Sequence, residues 1–294
     1  LKQAIFIAGI LNIVGAAFIG SHVTDTIRKG IVSPEILNDP HVALIGALAA
    51  LLAAAMWVSF ATWKSLPVST THSIVGAMVG FGIVTGGFSV INWAGLGAVV
   101  ASWVISPVFS LVIAFVMFKV IVRVVLSRND ATAAAFRLSP IFIGMAVFVV
   151  IMSFVFKTPL GKNLALNTPM AFLAALGCSV VLGWGGKRLL LYFRNVRTGE
   201  EGAEGIFRRI QIGTSCYVAL AQGANDVANA IGPLALIYFL AKSGTPGATV
   251  PVPFILLLFG GVGIAAGIAM GGARVIQTVG ERITTLSNTR GFSV

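Results

Sequence analysis

Apolar runs long enough to cross a lipid bilayer constrain this chain more than any other feature. They fall near residues 3–20, 41–63, 92–118, 139–156, 167–185 and 253–271. A helix needs about 20 apolar residues to span the hydrocarbon core of a bilayer. Charged residues make up only 10% of the chain, whereas soluble domains carry about 25%. The sequence therefore predicts an all-α integral membrane protein, a polytopic helical bundle, in the inner or plasma membrane.

Two further segments are apolar but irregular in composition. Residues 67–87 begin with a proline and are rich in Ser, Thr and Gly, and residues 211–240 contain a run of polar side chains and Pro233. Breaks in membrane helices are tolerated where the exposed backbone lines a cavity or is buried in protein. We therefore expect broken or re-entrant helices in both segments, and charge does not decide whether 67–87 crosses the membrane.

The basic residues, which give a net charge of +11, lie in short clusters between apolar runs. Because they fall between apolar runs, they indicate membrane topology under the positive-inside rule and not a nucleic-acid partner. One of these clusters falls in 187–210, which also holds glutamates and glycines. We interpret 187–210 as the main cytoplasmic loop.

An internal repeat organises the chain. A shift of 252 residues aligns 9–31 with 261–283, with seven identities in 23 positions. Recurring halves are typical of secondary transporters, whose sites lie near the bilayer midplane on discontinuous helices. The repeat divides the chain into a first-repeat region at 1–186, the loop at 187–210 and the start of a second repeat at 211–294. It also predicts partner segments before residue 1 and after residue 294, and so a chain that is a window of a longer one.

The stretch QGANDVANAIGP at 222–233 places a carboxylate inside an apolar segment. At 100° per residue, one helix face holds four polar side chains and the other holds apolar ones. These polar residues are Gln222, Asn225, Asp226 and Asn229. Carboxylate and amide oxygens suit Na⁺ or another hard cation, and the carboxylate could instead carry a proton. The alternative is a hydrogen-bond network that only holds helices together.

The stretch LPVSTTHSIVGAMVGFG at 66–82 presents three consecutive hydroxyls, on Ser69, Thr70 and Thr71, before an apolar helix. Hydroxyls and free N–H groups at a helix N-terminus form an anion site. Ordinary helix capping explains the same residues without a ligand. His72 adjoins them, either as a polar contact to substrate or as a packing residue.

Other candidates carry weaker signals. His22 and Asp25 provide only two ligands, too few to indicate a metal. Cys178 and Cys216 are isolated from each other in sequence and predict neither a disulfide nor a metal site. The sequence predicts no metal beyond a coupling cation and no cofactor.

The two stretches together identify a family. GANDVANAIGP at 223–233 and PVSTTHSIVGAMVGFG at 67–82 closely resemble the signature segments of inorganic phosphate transporters of the PiT family, and HVTDTIRKGI at 22–31 is similar to the segment that follows the first signature. The resemblance implies inverted repeats and symport of inorganic phosphate with Na⁺ or H⁺. It implies that Asn225, Asp226 and Asn229 coordinate the cation and that Ser69, Thr70 and Thr71 hold phosphate. Asn12 stands where some members carry an acidic residue.

The sequence thus predicts a non-enzymatic, alternating-access symporter of phosphate and Na⁺ or H⁺; a homo-oligomer is compatible with this prediction. A sulfate permease of the same fold is the nearest alternative. An anion channel and a membrane-embedded enzyme acting on phospholipid head groups are the others. The enzyme is disfavoured because the sequence offers no pair of nucleophile and base.

Overall fold

The computed structural model describes residues 1–20, 31–33, 39–157, 161, 164–192, 199–243, 252–283 and 287–294. The α-helices are α1 (Lys2–Ile19), α2 (Pro40–Trp63), α3 (Thr70–Gly86), α4 (Trp93–Ile121), α5 (Ala131–Lys157), α6 (Thr168–Tyr192), α7 (Gly199–Ser243), α8 (Phe254–Gly267), α9 (Ala273–Gln277) and α10 (Asn288–Ser293). Seven helical segments of the described chain are long and apolar enough to span a membrane. The predicted all-α membrane fold is confirmed.

Helix α7 corrects two expectations. It runs without interruption through 211–240, with Pro233 inside it, so this segment is not a broken helix. Membrane helices tolerate proline where other groups can satisfy the backbone carbonyl that it frees. Residues 187–192 end α6 and 199–210 begin α7, so most of the expected loop at 187–210 is helical. Its placement on the cytoplasmic side stays a prediction.

Helix interruptions occur elsewhere. Short π-helical segments follow α4 at Val122–Leu126 and α8 at Ile268–Gly272, and a third covers Thr278–Ile283. The segment 67–87 contains one continuous helix, α3, of 17 residues. At 1.5 Å per residue α3 is about 25 Å long, slightly less than the roughly 30 Å of the hydrocarbon core. The crossing and the re-entrant arrangements of this segment both stay predictions.

The chain folds as two compact units, and α4 and α7 contribute to both. The first unit comprises Leu1–Val104 and Val218–Thr285. In it, α2 packs on α3, and a short antiparallel pairing of Val32 with Ile91 contributes both side chains to the core beside α3. This core holds α3 in place from one side.

In the first unit, α1 and α8 pack against each other at glycines. A Cβ atom on Gly9 would lie 3.6 Å from that of Ala265, and one on Gly261 would lie 3.0 Å from Cα of Ile13. Under the 252-residue repeat, Ala265 corresponds to residue 13 and Gly261 to residue 9. When the two repeats are exchanged, the contact of residue 9 with residue 265 becomes the contact of residue 261 with residue 13. A two-fold relation requires such an exchange. The inverted repeat itself stays a prediction.

The second unit comprises Ile105–Tyr217 and Leu286–Val294. Its helices α5 and α6 pack closely. Near the start of α7, the rings of Phe142, Phe207 and Phe292 form a mutual cluster with centroid distances of 5.2–5.9 Å. Phe292 belongs to α10, so α10 docks on α5 and α7 through this cluster. The two units cut across the predicted repeat regions, whose boundaries stay a prediction.

Candidate functional site

The polar stretch of α7 lies on a helix whose other face is firmly packed. Val227 and Ile231 are buried in a core with Ala16 and Leu257. The predicted separation of polar and apolar residues on this helix therefore agrees with its packing. Among the polar residues, Asn229 is buried, Asp226 is half-buried, and Gln222 and Asn225 are exposed.

Two glycines let α1 approach this stretch. A Cβ on Gly223 would lie 2.5 Å from Cα of Asn12, and a Cβ on Gly15 would come within 2.9 Å of the carbonyl carbon of Leu220. Neither position has space for a side chain, because the neighbouring atoms are backbone. Asn12 is buried, and its amide nitrogen donates to the carbonyl of Ala8 at 2.8 Å.

A tight turn delivers α3 to the site. The N–H groups of Ser65 and Leu66 donate to the carbonyls of Thr62 and Ala61, and Ser65 has a φ of +59°. This is a Schellman ending of α2 with serine in the left-handed position that usually holds glycine. The chain then runs through Pro67 to Ser69, the N-cap of α3, whose Oγ accepts from the N–H of His72 at 3.2 Å.

The two stretches found in the sequence meet inside the first unit. Asn229 Nδ2 donates to Thr70 Oγ1 at 3.0 Å and to Thr71 Oγ1 at 3.1 Å. Gln222 Nε2 donates to Asp226 Oδ2 at 3.3 Å, and the side chains of Asn225 and Thr70 also present polar groups to the Asp226 carboxylate. Residues 159 positions apart are therefore in direct contact.

The capping alternative applies to one hydroxyl of the three. Ser69 uses its Oγ as the helix cap, whereas the hydroxyls of Thr70 and Thr71 contact α7. The N–H groups of Thr70 and Thr71 belong to the first turn and have no acceptor within the helix. The N-terminus of α3 thus presents two hydroxyls and two backbone donors beside Asn229.

His72 is exposed and contacts an aromatic ring, as the packing alternative expects, and its polar contact to substrate stays a prediction. Its ring lies over that of Trp103 on α4, with centroids 3.9 Å apart. The sequence analysis missed Trp103, because it lies in an apolar helix with no local pattern that sets it apart. His22 and Asp25 lie outside the described residues.

No group of three His, Cys, Asp or Glu side chains suited to a metal occurs in the described ranges. Among the predicted site residues, Asp226 has the one carboxylate, and the Asn, Gln, Ser and Thr side chains offer amide and hydroxyl oxygens. Such all-oxygen sets suit hard cations.

A family model described as "Phosphate transporter family" matches residues 1–294. The chain belongs to this family. It is 48% identical to a Pyrococcus abyssi protein that is named a phosphate permease, over 100% of this chain and 72% of the relative. It is 36% identical to "Inorganic phosphate transporter 2-1, chloroplastic" of Arabidopsis thaliana, over 100% of this chain and 54% of the relative.

A solved structure titled "The sodium-dependent phosphate transporter" also matches. Its TM-score is 0.87 at 43% identity, over 99% of this chain and 72% of that one. Family membership and the candidate spans together make this chain a multi-pass membrane protein of a transporter family and not an enzyme. The resemblance seen in the two sequence stretches is confirmed.

Proposed function

We propose that this protein is a symporter that moves inorganic phosphate across the cell membrane together with Na⁺, by alternating access around the site where α3 meets α7. The observation that carries the proposal is the pair of hydrogen bonds from Asn229 to Thr70 and Thr71. They bring a set of anion-binding groups next to a set of cation-binding groups. The matching structure is named for sodium dependence, which favours Na⁺ over H⁺.

Phosphate would bind at the start of α3. The hydroxyls of Thr70 and Thr71 and the free N–H groups of the first turn are hydrogen-bond donors, and the helix dipole favours negative charge there. Ser69 would act by holding this first turn in shape. The anion would be held without a buried Arg or Lys.

The cation would bind on α7. Asp226 provides a carboxylate, Asn229 and Asn225 provide amide oxygens, and Gln222 already contacts the carboxylate. An ionised side chain at membrane depth is costly unless it is paired or used. A cation beside the phosphate would reduce the cost of burying either charge alone, because opposite charges attract strongly in a medium of low dielectric constant.

The variant Asp226→Asn tests this proposal, because it removes the charge and keeps the shape. We expect Na⁺-driven accumulation of radiolabelled phosphate in reconstituted vesicles to fall to the level of protein-free vesicles. Asp130→Asn is the matched control: Asp130 caps α5 by accepting from the N–H of Ala133 at 2.9 Å, and Asn caps equally well. Wild-type accumulation by Asp226→Asn would contradict the assignment.

The same vesicles separate the remaining alternatives. A pH gradient without Na⁺ that drives accumulation would establish H⁺ as the coupling ion. Competition by sulfate at the concentration at which phosphate competes would favour the sulfate permease. Flux that equilibrates phosphate without any cation gradient would indicate a channel.

A further inference from the structure

We infer that Asn229 couples the two sites: its amide nitrogen holds the hydroxyls that bind phosphate, and its two oxygens supply ligands to the cation. This inference rests on the symport proposed above and names the residue through which the two substrates affect each other. Three features of the structure lead to it, and they concern different atoms of the same residue.

The nitrogen of the Asn229 amide is fully used. Its two hydrogens go to Thr70 Oγ1 and Thr71 Oγ1, at N···O distances of 3.0 and 3.1 Å. A hydroxyl has one hydrogen to donate and two lone pairs with which it accepts. When Thr71 accepts from the amide, its own hydrogen remains available for a phosphate oxygen, whereas the Thr70 hydroxyl also faces the Asp226 carboxylate. Asn229 therefore orients Thr71 as a donor toward an anion and holds Thr70 between the amide and the carboxylate.

The side-chain oxygen of Asn229 is unused. In the described part of the chain Oδ1 accepts no hydrogen bond, although the residue is only 9% exposed. In the same described part, every side-chain polar atom that is shielded from solvent has a hydrogen-bond partner. Because Oδ1 has no partner, it must retain solvent-accessible surface. Oδ1 therefore keeps its lone pairs free on accessible surface, where a cation or water can reach them.

The backbone oxygen of Asn229 is also deprived of its usual partner. In an α-helix the carbonyl of residue 229 would accept from the N–H of residue 233. Residue 233 is proline and has no N–H, so this bond cannot form. Freed backbone carbonyls of membrane helices coordinate Na⁺ in transporters. Asp226, three residues earlier on the same face, has its Cβ about 5–6 Å away.

Coupling follows from the chemistry of one amide group. A cation on Oδ1 withdraws electron density, which strengthens the N–H donors at the other end of the same group. It also fixes the side chain, so that the threonine hydroxyls are oriented before phosphate arrives. By linkage, phosphate must tighten cation binding by the same factor, which for such couplings is about 5–150-fold.

The test measures the coupling factor directly, on the purified full-length transporter in nanodiscs. The dissociation constant for phosphate is measured by calorimetry in NaCl and in choline chloride, and the ratio of the two values is the coupling factor. We expect Asn229→Ala to reduce this factor to about one. Asn229→Asp keeps oxygens for the cation and loses both N–H donors, so Na⁺ should still bind while the factor also falls to about one.

Two further variants test other contacts of Asn229, one at its backbone carbonyl and one at its amide nitrogen. Pro233→Ala restores the N–H that pairs with the Asn229 carbonyl, so we expect Na⁺ to bind several-fold more weakly while the threonine contacts persist. Thr71→Val removes one of the two hydroxyls that accept from Asn229, and the factor should fall several-fold. Thr85→Val is the matched control on α3, because its hydroxyl donates to the carbonyl of Phe81 in the same helix at 2.8 Å; it should leave the factor unchanged.

The outcomes separate this inference from the proposed function. A wild-type protein with a coupling factor of one would contradict the symport proposal itself. A wild-type factor well above one that persists in Asn229→Ala and Thr71→Val would overturn the role of Asn229. A coupling factor that stays well above one only in Asn229→Asp would show that the hydroxyls donate to the side-chain oxygen. It would overturn the assigned orientation of the Asn229 amide. Thermal unfolding measured on each variant identifies any that fails to fold, and the Thr71 variant tests the same contact from the other helix.

Discussion

Helix α7 makes two contacts with the first turn of another helix, and they differ in polarity. In the second unit, the Glu204 carboxylate accepts from the N–H of Thr289 at 3.1 Å and from its hydroxyl at 2.5 Å. In the first unit, the Asn229 amide donates to the hydroxyls of Thr70 and Thr71. One helix N-terminus receives a negative acceptor, and the other receives a donor.

The difference shows what makes one contact structural and the other a candidate binding site. A helix N-terminus attracts negative charge, and Glu204 provides it to α10. The site is then closed: Thr289 is only 1% exposed, and the Phe142, Phe207 and Phe292 cluster lies nearby. At α3, the contact from Asn229 leaves the first-turn N–H groups without an acceptor. An anion that binds there would be the negative acceptor for the first turn of α3, as the Glu204 carboxylate is for the first turn of α10.

The same substitution at both contacts tests most directly whether one is structural and the other a binding site. Thr289→Val removes a buried hydrogen bond to a carboxylate, and we expect it to destabilise the protein by about 1.5–3 kcal/mol. Thr71→Val removes a neutral hydrogen bond, so we expect a smaller loss of stability, about 0.5–1.5 kcal/mol, and it should weaken phosphate binding about tenfold, since that corresponds to roughly one hydrogen bond. Thermal unfolding in detergent and phosphate calorimetry measure the two effects. Equal loss of stability in both variants would make the α3 contact structural as well.

A smaller effect is expected at Trp103, which sharpens the role of His72. Because the rings of His72 and Trp103 are in contact, with centroids 3.9 Å apart and planes tilted by 38°, we expect Trp103→Ala to let the N-terminus of α3 move and to raise the KM for phosphate about three- to tenfold. Trp103→Phe keeps an aromatic surface and should stay within about twofold of wild type, since ring pairs contribute roughly 0.5–1.5 kcal/mol. Uptake at a series of phosphate concentrations separates KM from the maximal rate. An unchanged KM in Trp103→Ala would show that His72 needs no support.

The smallest effect is expected at Ser65. Its φ of +59° costs a serine about 1 kcal/mol that a glycine does not pay, so Ser65→Gly should raise stability by up to that amount. Phosphate affinity should not fall, because the hydrogen bonds of this turn are made by backbone N–H groups. Thermal unfolding measures the first expectation and calorimetry the second. A loss of stability would mean that the serine side chain itself supports the turn.

Much of this architecture was predictable from local properties of the chain. The apolar runs predict the helices at 2–19, 40–63 and 93–121 to within a few residues, because hydrocarbon accepts only segments that satisfy their own backbone. The polar face of 222–229 follows from helical periodicity alone. The continuity of α7 was not predictable, since Pro233 is compatible with either a break or a tolerated proline, and the surrounding helices decide between them.

The sequence by itself determined the membrane class, the family and the two stretches that carry polar chemistry, because each depends on composition or on neighbouring residues. Only the tertiary structure decided that Ser69 caps a helix while Thr70 and Thr71 meet Asn229, and that His72 packs on Trp103. Those outcomes depend on which helices approach one another, and close approach is governed by positions such as Gly15 and Gly223, where a single added methyl group would collide with backbone. A hydrogen bond between residues 159 positions apart has no signature in either local segment.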